Sequence, residues 1–115
     1  MKIPRDGKLL RIFIGEQDKW HGQPLYEAIV HLAKKEGMAG ATAIKGFLGF
    51  GAKSCMHTAK ILRLSEDLPI IIEIVDSEEK INKFLPHLDE MVKEGLVTLE
   101  KADVILYRAN GKGGE

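Results

Sequence analysis

The first apolar run of the chain alternates. Leu10, Ile12 and Ile14 fall on one side, and Leu9, Arg11 and Phe13 on the other, so Leu9 to Ile14 predicts a strand. Gly15 to Gly22 is polar and holds the only tryptophan, Trp20. Helical spacing begins near Pro24, a residue suited to a first helical turn because it has no N–H to leave unpaired. Leu25, Ile29, Leu32 and Ala33 mark the inner face of this helix, and Gly37 after Lys34-Lys35-Glu36 marks its stop. Ala41 to Phe47 predicts a second strand, which runs into the glycine-rich GFLGFG. Ile61 to Leu64 and Pro69 to Val75 read as further strands, the latter almost continuously apolar as a central strand should be. Asp76 with Glu79 suggests a capping pair for a second helix, with Ile81, Phe84, Leu85, Leu88, Met91 and Val92 inward. Pro86 interrupts that pattern and predicts a kink or a break. Gly95 ends the helix, and Leu96 to Leu99 and Val104 to Tyr107 predict terminal strands. The order is β-α-β-β-α-β with a short extra strand. That is the α+β, ferredoxin-like sandwich: an antiparallel sheet with two helices on one face. Residues 1–108 would form a single domain, with 109–115 a flexible C-terminal tail.

Composition narrows the function classes. With 115 residues, a single chain buries a modest core, so association with copies of itself would help it. Lys+Arg and Asp+Glu are equal at 17 each, which leaves no net basic field for nucleic acid or anionic lipid. The one cysteine, Cys55, excludes an internal disulfide and a disulfide-framed secreted protein. The N-terminal apolar run is too short for a signal peptide, and no stretch approaches the roughly 20 apolar residues of a membrane span. The expected location is the cytoplasm, with no membrane insertion.

The stretch Ile44 to Lys53 (IKGFLGFGAK) carries the chemistry. Glycines at 46, 49 and 51 permit positive φ and close approach to a ligand, and successive N–H groups of such a loop can bind anions. Lys45 and Lys53 bracket it and would neutralise phosphate. It is not a Walker loop, because Gly-Lys-Ser/Thr is absent. Nor is it a dinucleotide fingerprint, because the spacing is GxxGxG and a polar loop follows. Taken alone, the pattern fits a bulged strand end equally well.

GMAGATAIKGFLGFGAKSCMHT followed by LPIIIEIVDSEE resembles the PII signalling proteins. RIFIGEQDKWHGQPLYEAIV, GFLGFGA, HTAKILRLSEDLPIIIEIVDS and EGLVTLEKADVILY resemble the PII-like family called domain of unknown function 190, over about nine-tenths of the chain. The resemblance implies a homotrimer of ferredoxin-like units with an adenine nucleotide in the clefts between subunits, and no catalysis. Carried over residue by residue, the base would lie near Phe13 and Thr42. Gly46, Phe47, Gly49, Phe50 and Gly51 would wall the site, and Glu73 and Val75 would face the adenine. Arg108 would reach a phosphate. The PII phosphate loop before the last strands is replaced here by the short, acidic Lys93-Glu94-Gly95-Leu96-Val97, which favours AMP or ADP over ATP, or a nucleotide gripped by the Trp20 segment and Lys53. The resemblance further implies a partner that is a membrane transporter or channel, or a metabolic enzyme, reached through a mobile loop at 52–59.

Other residues admit plainer readings. His21 fits a ligand contact or a helix cap, and Trp20 a base-stacking platform or an interface anchor. His21, Cys55 and His57 supply three N/S donors, the basis of an alternative reading as a metal-binding trimer resembling the CutA group. A second alternative is a small enzyme acting on a nucleotide. Glu73, an acid within an apolar strand, needs a partner: a polar ligand group, Arg11 or Arg63. Acid–base catalysis would want a second placed titratable group, and the sequence shows none. His31 and His87 read as surface residues.

Overall fold

A computed structural model describes residues 6–51 and 67–109. Strand β1 (Asp6–Gly15) follows the alternation: Leu10, Ile12 and Ile14 are buried, while Leu9, Arg11 and Phe13 are half-buried on the opposite face. Strand β5 (Pro69–Asp76) alternates in the same way, burying Ile70, Ile72 and Ile74. With β4 (Thr42–Lys45) and β6 (Leu96–Asp103) they form an antiparallel sheet in the order β4-β5-β1-β6. The two long, alternating strands are thus central and the shorter or more charged ones are edges, the ferredoxin-like arrangement. Helices α1 (Leu25–Lys35) and α2 (Glu78–Met91) close over one face. Ile29, Ile81 and Phe84 meet Leu10, Ile12 and Ile72 there in one apolar cluster. No described helix covers the other face.

Between β1 and α1 the polar segment folds into a hairpin of two-residue strands, β2 (Lys19–Trp20) and β3 (Gln23–Pro24). His21 and Gly22 both have positive φ, 50° and 84°, the geometry of a type I′ turn. Pro24 is therefore the residue before α1, extended at ψ 133°, rather than part of its first turn. At the other end, Gly37 takes φ 78° while its N–H and that of Met38 reach back to Lys34 and Ala33 carbonyls, a Schellman stop.

Three expectations are corrected. Ser77, not Asp76, caps α2: its hydroxyl accepts from the Lys80 N–H at 3.2 Å. Asp76 is instead buried, its carboxylate accepting from the N–H groups of Ala39 and Ser77, which ties the start of α2 to the turn before β4. Pro86 does not break α2, because it lies on the exposed side, where the carbonyl it leaves unpaired is open to water. Residues 104–107 form no strand. Strand β6 runs on to Asp103, and the chain then passes close to Gly7, where an added Cβ would stand 3.2 Å from Val104 Cγ2. Tyr107 reaches the far side of the sheet, where its hydroxyl donates to the Ala39 carbonyl at 3.0 Å. The expected strand at Ile61 to Leu64 and the expected tail from Asn110 onward lie outside the described residues.

Candidate functional site

Pairing sets which side chains share a face. Thr42 stands opposite Glu73, Glu73 opposite Arg11, and Phe13 between Ile71 and Leu96. Directly paired residues point the same way, so Phe13, Thr42, Glu73 and Val75 all lie on the face that the helices leave open. At its centre Arg11 Nε donates to Glu73 Oε2 at 3.0 Å and Arg11 Nη1 to Glu100 at 2.6 Å. The hydrogen bond to Glu73 is the main reason the Arg11 guanidinium is held above its usual pKa. Arg11 is thus the partner that an acid in an apolar strand requires. Leu9, Ile71 and Val75 surround this pair half-buried, and Ile44 and Leu96 are exposed.

The glycine segment is built differently from its sequence expectation. Neither Gly46 nor Gly49 has positive φ. The Gly46 N–H donates to the Pro69 carbonyl at 2.8 Å, and a Cβ at Gly46 or Gly49 would stand 2.9 or 3.1 Å from Pro69 Cγ. These glycines let the chain lie flat on the proline ring, a close approach between backbone and side chain. The same wrap leaves Phe47, Leu48 and Phe50 strongly exposed, with Phe47 80% accessible. Lys45 faces away from Thr42, paired in register with Ile70, and its ammonium is held by Glu16 at 2.9 Å. Lys53, Cys55 and His57 lie outside the described residues. His21 stacks on Trp20, ring centroids 4.2 Å apart, and Trp20 packs toward the helix layer, not beside Thr42 and Glu73.

The family DUF190 (Uncharacterized ACR, COG1993) matches residues 7–104, both helices and all of this sheet but Asp6. The chain belongs to it. A curated relative, the UPF0166 protein MJ1524 of Methanocaldococcus jannaschii, is 43% identical over 98 residues, 84% of this chain and 90% of that one. Among solved structures, CPII of Thiomonas intermedia K12 bound to ADP and bicarbonate has a TM-score of 0.65 at 22% identity, covering 86% of this chain and 88% of that one. The same PII-like protein bound to ADP, AMP and bicarbonate has a TM-score of 0.60 at 20% identity, covering 86% and 92%. The fold of this DUF190 chain is therefore PII-like.

Within one DUF190 chain the candidate residues divide between two ends of the open face. Gly46 and Gly49 sit at the Pro69 end of β5, near Phe13 and Ile71. Arg108 follows Tyr107, which is tied to Ala39 at the Asp76 end. At about 3.3 Å per residue, Pro69 and Asp76 are roughly 23 Å apart. Thr42 and Glu73 lie between. Sequence reasoning did not find Tyr107 or Glu100. The signal for Tyr107 was its place beside Arg108; Glu100 becomes legible only once β6 is registered on β1.

Proposed function

We propose that this protein is a PII-like regulator that associates with copies of itself as a homotrimer, holds AMP or ADP between subunits, and catalyses no reaction. The observation that carries the reading is the division of the candidate residues. Phe13, Gly46, Phe47, Gly49 and Phe50 cluster at one end of the open face, while Val75 and Arg108 belong to the other. One nucleotide cannot touch both ends of a single sheet across roughly 23 Å. Two copies side by side can bring one end of each together, with Thr42 and Glu73 in reach of the base. Fold neighbours that hold ADP and AMP support the choice of ligand. Glu73 remains able to accept from an adenine amino group, because a carboxylate bound by one Arg11 nitrogen keeps lone pairs free. Arg108 supplies phosphate charge from the far end, and Gly51 and Lys53 follow the glycine segment in sequence. Signalling then runs through the segment after Gly51 to a partner, a membrane transporter or channel or a metabolic enzyme.

Calorimetric titration of the purified protein with AMP, ADP and GDP tests this. Saturable binding of AMP or ADP, with GDP weaker, is expected. Arg108→Ala should weaken ADP more than AMP, since the loss scales with ligand charge. No saturable heat with either adenine nucleotide would overturn the reading.

A further inference from the structure

The helix side of the molecule holds a cavity of about 340 Å³ that the nucleotide reading does not use. It lies between the β2–β3 hairpin and the outer surfaces of α1 and α2, on the layer opposite Thr42 and Glu73. Its apolar lining comes from Ala28, Leu32 and Met91, with the Trp20 indole as one wall. The rest of the lining is polar, from Gln23, His31, Lys35, His87 and Glu90, and the depression is open to solvent on one side.

Its charges are arranged in an unusual way. Lys35 on α1 and Glu90 on α2 both line the cavity, yet they form no ion pair within 4 Å. His31 and His87 add imidazoles, His87 standing 3.8 Å from Glu36. An ammonium from α1 and a carboxylate from α2, each without a partner among the described residues, set the chemistry of an occupant. A simple anion would gain Lys35 but meet Glu90, and a simple cation would meet Lys35. A ligand carrying both signs complements both walls. The indole wall is set by the hairpin: His21, stacked on Trp20, takes the positive φ that the type I′ turn requires.

We propose that this cavity is a second ligand site that takes a small zwitterion with an apolar body, an apolar α-amino acid. Its carboxylate meets Lys35, its ammonium meets Glu90, and its side chain rests on Leu32, Met91 and the Trp20 ring. The site is independent of nucleotide binding, since its residues face the other side of the sheet.

Trp20 is the only tryptophan, so intrinsic fluorescence reports this cavity directly. The probes are L-leucine, L-methionine and L-phenylalanine, with isovalerate and isoamylamine as controls carrying one charge each. A saturable change in Trp20 emission is expected with at least one amino acid in the range up to about 10 mM, and an affinity at least about tenfold lower with either control. Lys35→Met and Glu90→Gln replace exposed helical residues with good helix formers, so the fold is retained, as circular dichroism verifies. Each should raise the half-saturating concentration by about tenfold or more, one lost charge contact. The proposal is overturned by no saturable change with any of the three amino acids, by controls that bind as well as the amino acids, or by variants that bind like the parent.

Discussion

A methyl group on Gly49 would stand 3.1 Å from Pro69 Cγ, whereas one on Gly37 would be forced into a left-handed backbone at φ 78°. The first needs a ring to give by a few tenths of an ångström; the second strains the chain itself. Gly37→Ala should therefore cost on the order of 1 kcal/mol, and Gly49→Ala no more than that, in urea denaturation. The binding consequence runs the other way: Gly49→Ala alters the wall beside Phe47 and Phe50 and should weaken AMP and ADP, while Gly37→Ala leaves them unchanged. If the two variants bind nucleotide alike, the glycine segment is not part of the site. A second residue-scale effect concerns Asp18, whose carboxylate accepts from the Gly15 N–H at 3.0 Å. Burial, opposed by that hydrogen bond and aided by Asp67 and Glu94, raises its pKa above the ordinary 3.8. The folded state thus holds the Asp18 proton more tightly than the unfolded state. Stability from this group falls as pH rises from 3.8 through the raised folded value, and the penalty persists above it. Asp18→Asn keeps the acceptor and removes the charge, so its melting temperature should match or exceed the parent's at neutral pH. That difference should shrink as pH falls toward 4. A variant less stable than the parent at pH 7 would contradict the sign.

At the scale of elements, α2 contains one favourable and one unfavourable choice that can be measured apart. The Ser77 hydroxyl satisfies the Lys80 N–H, so Ser77→Ala should cost about 1 kcal/mol. Pro86 omits one helical hydrogen bond within Glu78–Met91, so Pro86→Ala should add about 2 kcal/mol once the gain in unfolded-chain entropy is subtracted. Equilibrium denaturation of both variants checks the pair, and a loss of stability in Pro86→Ala would mean that its ring packs in a way the exposed position does not suggest. These elements also show what the sequence could carry. Strand β1 and both helices were legible because each repeats its apolar spacing for at least two full periods, and β5 because of its nearly continuous apolar run; burial follows at Leu10, Ile12, Ile72, Ile81 and Phe84. The β2–β3 hairpin was not legible, since two residues per strand carry no period and His21 is an unusual choice for a type I′ turn. Strand β6 was cut short because Glu100 and Lys101 look like a surface loop until pairing to Leu9 and Lys8 places them on an edge. The candidate residues could be proposed one by one. Which end of the sheet each occupies depends on register and on the crossing of residues 104–107, and neither is local.

For the whole molecule, the decisive asymmetry is a sheet with helices on one face and none on the other. Leu9, Phe13, Ile71 and Val75 are half-buried there, and Ile44 and Leu96 remain 45% and 57% accessible. Ile105 and Leu106, just before the Tyr107 anchor, are 75% and 64% accessible. Apolar surface on this scale fits an association face, and the Arg11 guanidinium at its centre is shared within the chain by the carboxylates of Glu73 and Glu100. Covering it with copies of the same chain would remove apolar area from water at about 25 cal/mol per Å², with the Arg11 guanidinium already paired. A closed ring of three would also bring the Gly46–Phe50 end of one chain beside the Arg108 end of the next. Ile71 lies toward the Pro69 end of the face on a central strand, between Phe13 and Ile44 in register. Ile71→Asp should leave a folded monomer, because a single charge on an open face is solvated, but should prevent assembly, where the same charge would be buried three times over. Light scattering of the parent at micromolar concentration should give the mass of a trimer, and the variant that of a monomer with unchanged circular dichroism. The variant should also lose AMP and ADP binding, while its Trp20 emission still responds to apolar amino acids. A parent that scatters as a monomer would remove the assembly and with it the shared nucleotide site. A monomeric Ile71→Asp that binds ADP as well as the parent would show that the site belongs to one chain alone.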